Sequence, residues 1–436
     1  MTTAARMSRE KRLSCMGSEF RRRPSRPSRA RVGPLHGNLA AALLLGFAAA
    51  SFATASFAAT GGAAEPSRLP RGEPASVGVD GAKLAAIHEL VATAIGEKKL
   101  PGCVVCIGRR GRVIWLHAYG QRAILPTAEP MTVDTVFDLA SLTKPLATGV
   151  AVMHCVERGR ISLDDKVVVH LPEFAPRGKD ELLVRDLLIH QSGLIADNAL
   201  SDYEQGVEEA WRRICQLKLQ SPRGTKFVYS DVNFIVLGKL VERVEGKSLA
   251  EVVRERICAP LGLQETGFNP SEALRRRAAP TQQREGRWLR GEVHDPRAAK
   301  LAGVAGHAGL FSTAEDLAVY AQSLLAGGAW NDRRILRAET VATMTRGYPV
   351  SSGVRGLGWD KRTGYSSNRG AAMTDQAFGH GGFTGTAIWI DPGLDLFVIF
   401  LSNRVHPDGK GLVNPLAGRI GQVAADAVLD RPAPPP

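Results

Sequence analysis

Apolar residues recur at helical spacing through Leu84, Ile87, Val91 and Ile95, just after Asp80, a residue suited to cap a helix. The pattern predicts an amphipathic helix there. Two strand-like runs follow at 103–108 and 113–119, and Arg109-Arg110-Gly111-Arg112 between them reads as a hairpin. The apolar run at 149–156 predicts a buried helix, with Gly159 as its stop. Residues 160–270 are mostly helical in pattern, with helices at 184–190, 234–244 and 249–257. Residues 269–300 show neither period and carry eight Arg/Lys, so a long loop is predicted. A capped helix begins at Ser312-Thr313-Ala314-Glu315-Asp316. Strands at 386–391 and 394–402 flank the turn Asp391-Pro392-Gly393, and a last helix covers 415–428. Helix and hairpin at the front, helices in the middle, and hairpin and helix at the back imply an α+β fold. One antiparallel sheet is closed by both ends of the chain and flanked by helices, with a mostly helical lobe inserted at about 160–310.

Charge changes the picture only at the front. The net charge of +13 suggests nucleic acid, but residues 1–33 hold ten Arg/Lys against two Glu. Only five of the net charges remain for the other residues, an ordinary value for a domain of this size, so no nucleic-acid partner is expected. The basic stretch precedes an apolar run, 39–50, and then small residues. This reads as a leader and signal peptide over 1–58, cleaved after Ala55 or Ala58, or else as an uncleaved anchor over 39–59. Either way the main body lies outside the cytoplasm, periplasmic or secreted, with membrane contact only through the N-terminal segment. A Pro/Gly-rich linker follows at 59–79, then the main domain at 80–430 and a Pro-rich tail at 431–436. Cys103 and Cys106 sit three apart on a strand, so they face opposite sides and share neither a disulfide nor a metal.

Three stretches carry chemistry. In Phe137-Asp138-Leu139-Ala140-Ser141-Leu142-Thr143-Lys144-Pro145, Ser141 and Lys144 share one helix face at a helix start. An amine desolvated until its pKa falls can take the serine proton. Phe227-Val228-Tyr229-Ser230-Asp231-Val232-Asn233 sets a phenol and two polar side chains at a loop-to-helix junction. Gly379-His380-Gly381-Gly382-Phe383-Thr384-Gly385-Thr386 opens a strand with glycines, against which another backbone can lie closely. No metal-ligand spacing and no phosphate loop is present, so neither cofactor nor metal is expected.

Together, in this order, the three stretches resemble the Ser-x-x-Lys, Tyr-x-Asn and Lys/His-x-Gly motifs of the penicillin-recognising serine hydrolases: class C-type β-lactamases, DD-peptidases and related esterases. The resemblance covers about residues 75–430. It includes His190-Gln191-Ser192-Gly193-Leu194, Pro260-Leu261-Gly262-Leu263 and the run from Val293-His294-Asp295 to Gly306-His307-Ala308-Gly309-Leu310-Phe311-Ser312-Thr313, which looks like penicillin-binding protein 4B-type carboxypeptidases. It implies Ser141 as nucleophile, with Lys144 and Tyr229 sharing proton transfer. It implies an oxyanion hole from the Ser141 and Phe383 backbone N–H groups, and Asp231, Asn233, His380, Gly381 and Gly382 around the substrate. The substrate would be a D-Ala-D-Ala peptidoglycan stem, a β-lactam or a small ester. Two positions depart from the pattern. Asp231 stands where the family more often has asparagine, and would disfavour an anionic substrate group nearby or hold Lys144 protonated. Gly381 lacks the hydroxyl that often binds a substrate carboxylate, a role left to Thr384, Thr386 or an arginine of the 269–300 loop. His294 and His307 are further candidates for the rim, and His380, with an ordinary pKa of about 6.5, can lose its charge near neutrality.

Overall fold

The computed structural model describes residues 68–431, so the expected leader, the first part of the linker and residues 432–436 lie outside the described residues. The Asp80 carboxylate accepts the Ala82 and Lys83 N–H groups at 2.9 and 3.2 Å and so starts α1 (Gly81–Gly96). The stripe Leu84, Ile87 and Val91 is buried, and each such side chain stabilises the fold by roughly 1.5–3 kcal/mol. Then come β1 (Gly102–Arg109), β2 (Arg112–Ala123) and β3 (Glu129–Pro130). The C-terminal third supplies β4 (Tyr348–Val350), β5 (Gly353–Arg355), β6 (Asp360–Arg362), β7 (Phe378–Gly382), β8 (Thr386–Asp391) and β9 (Leu396–Ser402). These form one antiparallel sheet in the order β4-β5-β6-β7-β8-β9-β1-β2-β3. Both ends of the chain meet in it, because β1 pairs with β9 from Cys103↔Ser402 to Arg109↔Leu396.

The period of two along β1 sorts its side chains between two cores. Cys103, Val105 and Ile107 pack with α1 and the last helix, α5 (Asn414–Asp426). Val104 and Cys106 face the other layer. That layer holds α2 (Val150–Glu157), α3 (Asp231–Glu245) and α4 (Ala314–Leu325). All five described cysteines are buried free thiols. No helix among the described residues is long and apolar enough to cross a membrane.

The structure corrects two expectations. Residues 269–300 are not a loop. They form a helix (Glu272–Arg277) capped by Ser271, a hairpin (Pro280–Arg284 with Arg287–Arg290) and a helix (Pro296–Lys300) capped by Asp295. Elements of four to six residues are too short to display a period, and caps, ion pairs and a small apolar cluster around Ala278, Val293 and Ala298 hold them. Arg290, for example, pairs with Glu129 at 2.7 Å. The inserted lobe also carries a three-stranded sheet of Phe137–Asp138, Leu310–Ser312 and Gly267–Phe268. The described part of the expected linker is packed: Leu69 and Val77 are buried, and Gly72 and Val113 bond along the edge of β2.

Candidate active site

The short strand Phe137–Asp138 delivers the chain to Ser141 through a constrained turn. Ala140 has φ +46°, a conformation that costs a non-glycine residue free energy. Four bonds hold it there. Asp138 accepts the Ala140 N–H at 2.8 Å and the His294 N–H at 2.7 Å. The Thr384 and Thr386 hydroxyls donate to the Asp138 and Leu139 carbonyls at 2.7 and 3.1 Å. Ser141 sits in a single 3-10 turn, and residues Lys144–Gly149 then widen into a π-helical turn before α2. Pro145 has no N–H to offer the Ser141 carbonyl, so a regular α-helical ladder cannot start at this point.

Lys144 is fully buried, and its Nζ donates to Ser141 Oγ at 3.0 Å and to the His307 carbonyl at 3.2 Å. It also lies 2.6 Å from an Asp231 carboxylate oxygen and 4.9 Å from the centre of the Tyr229 ring. Burial alone pushes the ammonium toward losing its proton. The Asp231 carboxylate and the Tyr229 phenol outweigh it and carry Lys144 above the ordinary lysine range. The resting lysine is therefore a cation, in line with the expectation from Asp231 and against that of an amine with a fallen pKa. Asp231 is raised by burial but lowered further by Lys144, so it rests as the carboxylate. Tyr229 interacts with both Lys144 and Ser141, yet burial keeps its phenol above the ordinary value and protonated. Behind this group His307 bonds Asp295 at 3.0 Å. Asp231, Asp295 and His307 bring ligand atoms within 4.8 Å of one another, close enough to hold a metal ion. The Lys144 ammonium already fills the cation's place beside Asp231.

A cavity of about 300 Å³ opens in front of Ser141. Tyr229, His380, Gly381, Gly382 and Phe383 line it, so five of the expected residues meet there with the nucleophile. Asp231 and Asn233 do not. Asp231 faces Lys144, and the buried Asn233 accepts from Ser192 Oγ at 2.6 Å and approaches His190 Nδ1 at 3.3 Å. Asn233 thereby fixes His190, whose ring lies 4.6 Å from that of Tyr229. Asn233 thus lies behind the His190 ring and does not line the cavity. His380 Nδ1 donates to the Gly381 carbonyl at 2.7 Å, which leaves Nε2 as a buried acceptor without a partner. Burial, then Arg355 and Lys144, hold the His380 ring well below its ordinary pKa, so it stays neutral near pH 7, against expectation. A Cβ on Gly382 would stand 2.5 Å from the Leu139 carbonyl, so only glycine lets β7 lie against the nucleophile turn. His294 stacks on Phe383 at the rim, with centres 5.4 Å apart, whereas His307 stays behind Lys144.

None of the three suggested substitutes for the missing hydroxyl at 381 is free. Thr384 and Thr386 hold the nucleophile turn. The arginines of 269–300 bind elsewhere: Arg284 to the His294 carbonyl, Arg290 to Glu129, and Arg297 to Asn198 and Asp197. Two residues that the sequence did not single out, Arg355 and Asn368, line the cavity instead. A Cβ on Gly381 would meet Asn368 Nδ2 at 2.3 Å, so the asparagine amide occupies the space of a larger residue 381. The one signal for Arg355 is a basic residue in a short strand-like run before Gly356-Leu357-Gly358-Trp359.

Residues 86–421 match the family model described as Beta-lactamase. The chain belongs to the beta-lactamase family. It is a family of serine hydrolases, and proteins similar to this chain carry carboxypeptidase, amidase and esterase names. A putative D-alanyl-D-alanine carboxypeptidase of Escherichia coli K12 is 34% identical over 327 residues, 67% of this chain and 74% of that one. An N-acetylmuramyl-L-alanine amidase of Bacillus subtilis 168 is 32% identical over 344 residues, 70% and 78% of the two chains. Among solved structures, a penicillin-binding protein homologue from Caulobacter crescentus aligns with a TM-score of 0.66 at 22% identity, covering 80% of this chain and 99% of that one. The hydrolase EstCE1, which has promiscuous acyltransferase activity, aligns with a TM-score of 0.63 at 25% identity over 80% and 99%. The beta-lactamase fold thus accounts for the large antiparallel sheet, its flanking helices and the lobe over the site.

Proposed function

We propose that the protein is an exported serine hydrolase that cleaves an amide of a peptidoglycan stem, of the D-Ala-D-Ala type, through an acyl-enzyme on Ser141. The observation that carries the reading is the 3.0 Å contact between Lys144 Nζ and Ser141 Oγ, with Asp231 2.6 Å behind the lysine. Because Lys144 rests as a cation, the proton acceptor is the pair. As Ser141 Oγ attacks the acyl carbon, its proton passes to Lys144, which gives one of its own to the Asp231 carboxylate. Charge is thereby relayed without creating an isolated buried ion. The negative oxygen of the tetrahedral intermediate lies between the Ser141 and Phe383 backbone N–H groups. The leaving amine takes a proton back through Lys144 and Tyr229, and water attacks the ester by the reverse route. The carboxypeptidase and amidase names of the sequence relatives support an amide of the wall peptide as substrate, and the basic-then-apolar stretch before residue 59 supports export.

A fluorophosphonate probe tests the reading. The protein labels covalently and Ser141→Ala does not. Intact mass after incubation with a D-Ala-D-Ala peptide, a penicillin and a p-nitrophenyl ester then identifies the acyl donor. A protein that never labels is a binding protein with the same fold.

A further inference from the structure

A second cavity, of about 750 Å³, shares no lining residue with the one in front of Ser141. It opens between the helix Ala338–Thr345 and strands β5 to β7. Phe378 at the start of β7 belongs to it, whereas His380, Gly381 and Gly382 further along the same strand belong to the catalytic cavity. Its lining falls into two sets. Leu324, Leu325, Val341 and Val354 make an apolar wall. Arg346, Lys361, Arg362 and Arg369 bring four cations, against one lining carboxylate, Asp375. Asp375 pairs with Arg362 at 2.7 Å, but both side chains are exposed, so water weakens the pair. The other three cations bond neutral groups only. Arg346 Nε donates to the Tyr348 hydroxyl at 2.9 Å. Lys361 donates to the Gln376 and Ala377 carbonyls at 3.1 and 3.3 Å, which leaves one of its three N–H groups unused. Arg369 Nη2 donates to the Met373 and Thr374 carbonyls at 2.8 and 2.7 Å, and its Nε is buried without a partner. Carbonyl dipoles fix these heads in place without neutralising them. Burial above all lowers the pKa of both Lys361 and Arg369, the mark of cations short of counter-charge. Asp391 lies within electrostatic reach of both, but it is buried and already accepts from the Thr374 N–H and hydroxyl and from the Gly393 N–H.

From four cations and one exposed carboxylate on an apolar-walled cavity, we propose that this cavity binds a phosphate-headed amphiphile, its phosphate among Arg346, Lys361 and Arg369 and its apolar chain along Leu324, Leu325, Val341 and Val354. The site is independent of the chemistry at Ser141. A phosphate monoester brings a charge of about −1.5 to −2 and three strong acceptor oxygens. These suit the unused Lys361 N–H and the arginine N–H groups, and they supply the counter-charge that the carbonyls do not. The chain meanwhile removes the apolar wall from water. A volume of this size is ordinary for a small-molecule site. Inorganic phosphate forgoes the wall, and a neutral chain leaves the cations uncompensated, so neither half binds as well as the whole.

Calorimetry on the whole protein, at one fixed ionic strength, compares octyl phosphate with 1-octanol and with inorganic phosphate. Octyl phosphate should bind tighter than either. Lys361→Gln should weaken octyl phosphate about 10–100-fold, the range for losing a hydrogen bond to a charged group, and leave octanol unchanged. Lys361→Arg should restore most of the loss. Leu325→Ser should weaken octyl phosphate and octanol by the same factor, since it removes only apolar contact. Lys361 is tied to two carbonyls, so Arg346→Gln, at an exposed residue, repeats the test with a smaller expected loss should the Lys361 variant not fold. Octyl phosphate that binds no tighter than octanol or inorganic phosphate overturns the site. So does an affinity that neither Lys361→Gln nor Arg346→Gln changes. Sedimentation with phosphatidylglycerol vesicles, without binding of octyl phosphate, makes these cations a bilayer-docking face and likewise overturns the cavity as the site.

Discussion

Behind Ser141 the buried Lys144 ammonium has the Asp231 carboxylate at 2.6 Å, and His307 Nε2 lies 3.0 Å from Asp295. In front, on the cavity wall, Arg355 has only Asp360, at 3.4 Å and without a hydrogen bond, and His380 Nε2 has no partner. The difference is one of how closely the groups are paired. Charges that must move a proton during reaction need a local counter-ion, or the transfer would strand a charge at low dielectric. Groups that wait for a ligand do better unpaired, because the ligand then gains what the protein leaves out.

The largest effect expected is on the back wall. Lys144→Ala should lower acylation about 10²–10⁴-fold, the usual weight of a proton-transfer group. It should also cost about 3–5 kcal/mol of stability by leaving Asp231 unpaired. The double variant Lys144→Ala/Asp231→Asn should regain part of that stability and none of the activity. Denaturant melts with acylation rates on the same samples check both, and equal stability of the single and double variants would break the idea that pairing is what the back wall supplies.

Acid should act next. Burial first, then Arg355 and Lys144, hold the His190 and His380 rings well below the ordinary range, and burial takes His294 to about 4. The unfolded chain protonates these rings near pH 6.5 and the folded chain does not, so the unfolded state binds more protons. Their contribution is fully present above that pH and is lost as the pH falls through it. Each ring should remove about 0.7 kcal/mol between pH 7 and pH 6. Asp138 and Asp316, raised to about 6 by burial, act with the opposite sign between about pH 4 and 6, so the loss is read above that window. His380→Gln should flatten the pH 7 to 6 slope. It should leave the shape of the pH–rate profile for a neutral ester unchanged from pH 5.5 to 8, because a neutral His380 has no titration to lose there.

How far this was readable from the sequence follows the same divide. Ser141, Lys144 and Tyr229 stand in local motifs, and the apolar runs of β1, β2, β8 and β9 with their flanking helices were legible, whereas the short strands β3 to β6 were not. Asp231 was visible too, and a protonated Lys144 was one of the outcomes its carboxylate implied; the 2.6 Å distance decides for it over burial. Arg355 and Asn368 were not visible. Each is a lone residue in a short element, 26 and 13 positions before Gly381, and only the pairing of β5, β6 and β7 brings them to the cavity. Residues 269–300 were misread because ion pairs and caps hold them, and these leave no period.

Two smaller effects sharpen the front wall. Gly381→Ser, meant to restore the missing hydroxyl, should instead cost about 1 kcal/mol by overpacking against Asn368, and Gly381→Ser/Asn368→Ala should be milder. Equal stability of the two variants would show that Asn368 swings away freely. Least of all, Arg355→Met should leave the unfolding midpoint nearly unchanged, since the lost charge makes no hydrogen bond and Asp360 keeps its bonds from Thr363 and Ser366. A large loss of stability there would mean that Asp360 depends on Arg355 and that the two walls are alike.

The register Cys103↔Ser402 has a consequence for how the protein is made. During synthesis β1 and β2 emerge early, but the strand that must lie beside β1 appears only after the whole of the intervening chain. The middle of the sheet therefore cannot assemble before that strand emerges, and pairing so remote in sequence is slow to form. β7, which lines the site, reaches β1 only through β8 and β9, so assembly of the site waits on the same event. A chain cut short before residue 396 would present an open edge on β1 in place of a finished sheet, a template for aggregation rather than a weaker enzyme.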